Sequence, residues 1–144
     1  MTTDQKTATA TESGPAGFSG STVVTQMLTA FYAGDLDKLQ TYLNDDIETH
    51  QSDNLPYSGR YHGIDGFTRM ASTIGEHYQV ENLHTRMIDS GEETVIYMDL
   101  RFTSRATGRV AETSNVEWYT FRGGKVASIN IYYKDPVIVA ALLD

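Results

Sequence analysis

The run Asn115-Val116-Glu117-Trp118-Tyr119-Thr120-Phe121 sets one carboxylate among apolar and aromatic neighbours, which makes Glu117 the leading candidate for chemistry in this chain. The run reads as a β-strand. Alternate side chains of a strand point to opposite faces, so Glu117 shares its face with Asn115, Tyr119 and Phe121. If that face lines a core or pocket, the acid must be hydrogen-bonded or held neutral, because an unpaired buried carboxylate is costly. A neutral carboxyl group in an apolar cavity is a proton donor. The competing reading is a solvated strand glutamate, and pattern alone leaves both open.

Other candidates are less specific. His50 ends a short run, Ile47 to Gln51, with strand character, and is either a pocket base or a surface residue. A later strand places Tyr97, Asp99 and Arg101 on one face and Ile96, Met98, Leu100 and Phe102 on the other. Asp99 is a catalytic candidate if the polar face lines the cavity, and part of a surface pair if it faces outward. Met27, Met70, Met87 and Met98 could form adaptable walls for an apolar ligand or simply fill the core. The four histidines lack HExxH or facial-triad spacing, and no P-loop, GxGxxG or nucleophile elbow occurs, so neither a metal nor a cofactor is expected.

The elements that must position these residues follow from periodicity. Val23, Val24, Met27, Leu28 and Phe31 recur at helical spacing, with Ser19 or Ser21 as N-cap. Gly34 ends this helix, and Asp35 caps a second whose apolar stripe is Leu36, Leu39, Tyr42 and Leu43. Residues 52–59 are rich in turn formers, and Ile64, Phe67, Met70 and Ile74 mark a third helix. Four strands are predicted over 80–90, 94–104, 109–122 and 125–133, joined by short turns and therefore antiparallel. Residues 136–143 read as a closing helix or an extended arm. Helices followed by a meander indicate an α+β domain.

Composition bounds the function. The chain has 144 residues, 40% hydrophobic and 21% charged, as expected for one globular domain. Its net charge of -8 and 11 scattered basic residues argue against nucleic acid or an anionic membrane as a partner. The absence of cysteine excludes disulfides and fits a cytoplasmic location. Residues 1–17, rich in Thr, Ala, Ser and Gly, read as a disordered tail, leaving one domain over 18–144. No stretch approaches the ~20 apolar residues that span a bilayer.

Two segments carry a family resemblance: Ala33-Gly34-Asp35-Leu36-Asp37 followed by Tyr42-Leu43-Asn44-Asp45-Asp46, and Thr107-Gly108-Arg109 leading through the strand to Phe121, Gly124-Lys125-Val126 and Ser128 to Tyr133. In order and spacing they resemble the NTF2-like superfamily, which includes SnoaL-like polyketide cyclases, ketosteroid isomerases and limonene-epoxide hydrolases. The resemblance implies a cone, with three helices leaning on a strongly curved, mainly antiparallel sheet around an apolar pocket. It also implies a homodimer formed through the outer face of the sheet, which the bulky Val116 and Trp118 would suit.

Compared position by position, the isomerases' catalytic aspartate corresponds to Gln51, their helix-one tyrosine to Met27 and their second acid to Glu117. The epoxide hydrolases' arginine corresponds to Asn115 and their two aspartates to Glu117 and a position near Ile131. In SnoaL-like cyclases a histidine commonly follows the first strand, where His50 stands. The candidate catalytic set is Glu117, Asn115, His50 and Asp99, and the candidate binding wall is Met27, Phe31, Gln51, Tyr97, Tyr119 and Ile131. The expected activity is intramolecular ring closure of a hydrophobic, polyketide-like small molecule, with positioning dominant and a [4+2] closure favoured by the missing base. Epoxide opening, isomerisation of the ketosteroid type and non-enzymatic ligand binding are the alternatives.

Overall fold

In the computed structural model, residues 17–144 are described, so the tail expected over 1–17 lies outside the described residues except for Gly17. Helix α1 (Gly20–Tyr32) starts at Ser19, whose hydroxyl accepts from the Thr22 amide at 3.3 Å. Gly20 lets α1 sit against the sheet: a Cβ there would overlap Thr94 Oγ1 and lie 2.7 Å from Phe121 Cε2. The helix ends in a Schellman motif. Gly34, at φ +72, donates to Phe31 O at 3.0 Å, and Asp35 donates to Ala30 O at 2.9 Å. Asp35 then caps α2 (Leu36–Gln40), as its carboxylate accepts from the Lys38 amide.

The second helix is shorter than its apolar stripe suggests. Tyr42 lies beyond it, and Leu43 opens strand β1 (Leu43–Gln51). Leu43 and Ile47, four positions apart, are both buried, while Asp45 between them is exposed where the register of β1 shifts between Leu43 and Glu48. Leu43 follows Leu39 by four positions, which is why it reads as part of the helical stripe. Strand β2 (Gly59–His62), read from sequence as the end of a turn, pairs antiparallel with β1 at the sheet edge. Helix α3 (Gly63–His77) buries Phe67, Met70, Ala71 and Ile74 on one face.

Strands β3 (Tyr78–Asp89), β4 (Glu93–Ser104), β5 (Val110–Arg122) and β6 (Lys125–Tyr133) form the expected meander. The six strands are ordered β2-β1-β6-β5-β4-β3, with β1 and β6 the one parallel pair. Register shifts at Asn82/His84 and Thr120/Phe121 bend the sheet. Residues 136–143 form helix α4 (Pro136–Ala140) and a 3-10 turn (Ala141–Leu143), capped by Asp135 with Pro136 in the first turn. Val139 and Leu142 are buried, and the Tyr78 hydroxyl donates to Val139 O at 2.9 Å, so this segment packs on the fold as a helix rather than an arm.

The helices cover the concave face of the sheet, and the core lies between them. On β4, Ile96, Met98, Leu100 and Phe102 are buried in that core. The same strand turns Tyr97 and Arg101 outward, where Arg101 pairs with Glu81 at 3.1 Å and Glu112 at 2.8 Å. No helix among the described residues is long and apolar enough to cross a membrane.

Candidate active site

A cleft opens between α1, α3 and the concave face of the sheet. Helix α1 contributes Met27, Leu28, Phe31 and Tyr32, and α3 contributes Phe67, Met70 and Ile74. From the strands come Gln51, Asn115, Glu117, Tyr119, Ile129, Ile131 and Tyr133, with Val80, Leu100 and Phe102. Tyr32 is 37% exposed and marks the mouth. The free space along the cleft, out to solvent, is ≈ 550 Å³, but the part open to the centre of a water molecule is only ≈ 50 Å³. The cleft is therefore narrow, and Met27 and Met70 are the most adaptable side chains of its wall.

Pleating and register assemble its polar part. Asn115, Glu117 and Tyr119 alternate on the inner face of β5, with Glu117 opposite Ile131 of β6 and Ile96 of β4. Phe121, beyond the register shift at the end of β5, is not part of the cavity wall and instead packs edge-on against Phe18 at 5.2 Å. The parallel β1–β6 pair sets His50 opposite Asn130, which brings Gln51 beside Ile131.

Glu117 is half-buried and accepts from the Tyr119 hydroxyl at 2.6 Å and from the Asn115 amide at 3.4 Å. Burial raises its pKa, and the two hydrogen bonds oppose that shift without cancelling it. Among the described residues Glu117 is the sole carboxyl group on the wall, and no His, Lys or Arg stands with it. Burial and the nearby Glu117 raise the Tyr119 and Tyr32 phenols, so both stay protonated at neutral pH. Tyr133 shares a 2.8 Å hydrogen bond with Tyr57 and is raised in the same way. The site thus holds an acid whose burial favours its neutral form, together with phenols, and no conventional base among the described residues.

Glu117, Asn115, Met27, Phe31, Gln51, Tyr119 and Ile131 line the cavity. His50, Asp99 and Tyr97 do not, which corrects their placement. His50 alternates with the buried Thr49 and Gln51 and sits in a shallow outer groove with Asp53, Asn54 and Asn130. Asp99 is on the convex face, accepting from Ser114 Oγ at 2.7 Å and from the 40%-exposed Tyr97 hydroxyl at 2.9 Å. These hydrogen bonds lower its pKa. The Asn115 amide nitrogen gives one of its two hydrogens to Glu117. Met27 and Met70 are wall residues, whereas Met87 and Met98 are not.

Tyr32 and Tyr133 were not legible as site residues, although Tyr133 continues the alternation of Ile129 and Ile131 on β6 and Tyr32 follows Leu28 by one helical turn. Among the described residues no group of His, Cys, Asp or Glu is placed to hold a metal ion.

Comparison with known proteins agrees with this architecture. No curated protein sequence matches the chain. An NTF2-like protein from Burkholderia xenovorans LB400 has 22% identity and a TM-score of 0.79, over 86% of this chain and 95% of that one. A candidate polyketide cyclase from Xanthomonas campestris pv. campestris has 16% identity and a TM-score of 0.74, over 86% and 96% of the two chains. TerC, co-crystallised with polyporic acid, has 18% identity and a TM-score of 0.74, over 85% and 95%. At these identities the likeness is one of fold. The family model of the SnoaL-like domain matches residues 24–129, from α1 to the middle of β6, and the chain belongs to the SnoaL-like family of NTF2-like folds.

Proposed function

We propose that the protein is a cofactor-independent cyclase that folds a flexible, unsaturated, polyketide-like molecule in the cleft and closes a ring within it. The observation that carries this reading is a narrow apolar cleft whose wall holds one carboxyl group, Glu117, kept toward its neutral form by burial. A protonated Glu117 donates to a substrate carbonyl and draws electron density from the reacting system. Tyr119 holds the carboxyl group in place.

With no basic partner on the wall, ring closure by deprotonation is disfavoured and a pericyclic [4+2] closure is favoured. Holding two reacting ends together lowers a barrier by up to ~7 to 11 kcal/mol in ideal cases, against ~10² to 10⁴-fold in rate for one general acid. Positioning is the larger contribution. The polyporic acid co-crystallised with TerC and the polyketide-cyclase description of the Xanthomonas protein support a small-molecule substrate by analogy of fold. The interior space of ≈ 50 Å³ is below the ~300 to 1,000 Å³ of small-molecule sites, so a substrate enters this cleft only as side chains such as Met27 and Met70 yield.

A homodimer in the cytoplasm is part of this reading. Trp118, Tyr97 and Tyr132 are 42, 40 and 59% exposed on the convex face, an apolar surface suited to a second copy. Light scattering in solution tests it; a monomer at all concentrations would remove it.

The test of activity is incubation with linear polyketide-type precursors and analysis of ring products. Multiple turnovers by wild type, lost on filling the cleft by Ile131→Phe, are expected. The narrowness of the interior favours a second reading, a non-enzymatic binder of a small apolar ligand. Saturable binding without product over many protein equivalents would establish that reading instead.

A further inference from the structure

Two amide oxygens on the cavity wall have no hydrogen-bond donor. Asn115 is 3% exposed and Gln51 9%, and both Asn115 Oδ1 and Gln51 Oε1 are buried without a partner. The nitrogen of each amide is already placed, that of Asn115 at 3.4 Å from Glu117 Oε2 and that of Gln51 at 3.5 Å from Met70 Sδ. In both residues the oxygen is the atom with no partner at all among the described residues. Thr49 and Thr94 also have unpartnered hydroxyls, but neither lines the cavity.

A buried acceptor without a donor destabilises the closed cavity, and anything that supplies a hydrogen to it binds with that gain. The two oxygens are not interchangeable points of one contact. Gln51 and Asn115 lie on β1 and β5, strands separated by β6 and so about 10 Å apart in the backbone at the usual strand spacing. They contact separate parts of a ligand.

We propose that Gln51 and Asn115 form a specificity-determining pair that selects ligands carrying neutral hydroxyl groups, enols or phenols, over the corresponding ethers and anions. An ether offers no hydrogen to either oxygen. An anion brings a second electron-rich atom against two acceptors in an apolar wall with no Lys or Arg. The proposal rests on the reading of this cleft as the substrate site, and it narrows the substrate to a hydroxylated form whose oxygens enter protonated.

The test uses phenol, anisole and benzoate, titrated into the full chain and followed on the side-chain amide resonances of Gln51 and Asn115. Phenol is expected to bind about ten-fold more tightly than anisole, with benzoate weaker than both. In the Gln51→Leu, Asn115→Leu double variant the ratio of phenol to anisole affinity should fall to near unity, whatever the absolute affinities. Equal affinity of the wild type for phenol and anisole, or no saturable binding of phenol, overturns the proposal without need of a variant. So does a preference that survives in a folded double variant. Hydroxyl selectivity without ring formation would sink the cyclase reading and leave the selectivity standing. Turnover with equal affinities would do the reverse.

Discussion

Glu117 and Asp99 are carboxylates on neighbouring strands with nearly the same partners and opposite behaviour. Asp99 accepts from a tyrosine two residues away, Tyr97, and from Ser114; Glu117 accepts from a tyrosine two residues away, Tyr119, and from Asn115. Asp99 is held below the ordinary carboxylate range by its hydrogen bonds, whereas Glu117 is raised by burial despite its own. What separates them is the face of the sheet. On the convex face water stabilises the anion and hydrogen bonds add to that; on the concave face desolvation outweighs them. Hydrogen-bond partners alone would have given two similar acids.

The largest effect should come from Glu117→Gln, which keeps shape and polarity but cannot release a proton. Ring formation on a productive substrate should fall by ~10² to 10⁴-fold with the fold intact by circular dichroism. Next, Gly20→Ala should destabilise the protein by about 1 to 3 kcal/mol in chemical denaturation, since the added methyl meets Thr94 and Phe121 where α1 lies on the sheet.

The pH dependence of stability separates the two acids by sign. Glu117 has a raised folded pKa, so the native state binds its proton more tightly than the unfolded chain, and stability falls as pH rises from the unfolded toward the folded value. Urea titrations across pH should show this fall in wild type and its absence in Glu117→Gln. Asp99, with a lowered folded pKa, contributes stability above its unfolded value that is lost as pH falls through the folded one. The smallest effect belongs to Asp99→Asn, which should leave turnover within about two-fold, since the group lies on the convex face away from the cleft.

Much of this was legible in the chain. The α1 stripe with its Ser19 cap, the Gly34-Asp35 break and the four strands of the meander follow from local periodicity and turn chemistry. So does the grouping of Asn115, Glu117 and Tyr119, because a strand's alternation is insensitive to its partners. What depends on long-range pairing was not legible. Leu43 continued the apolar spacing of Leu36 and Leu39 although it opens β1, and β2 exists through its pairing with β1. On β4 both faces carry bulky side chains, so Tyr97 and Asp99 could be placed only once the helices had chosen a side. His50 fails as a pocket residue for the same reason: its neighbours Thr49 and Gln51 take the inner face.

The central claim is that the concave face holds a carboxyl group toward its neutral form while the convex face does not. Carbon-13 NMR titration of the side-chain carboxyl groups measures both acids in one sample. The account predicts that Glu117 titrates above the ordinary glutamate range and Asp99 below the ordinary aspartate range. A Glu117 that titrates at or below its ordinary value in the folded protein would contradict it.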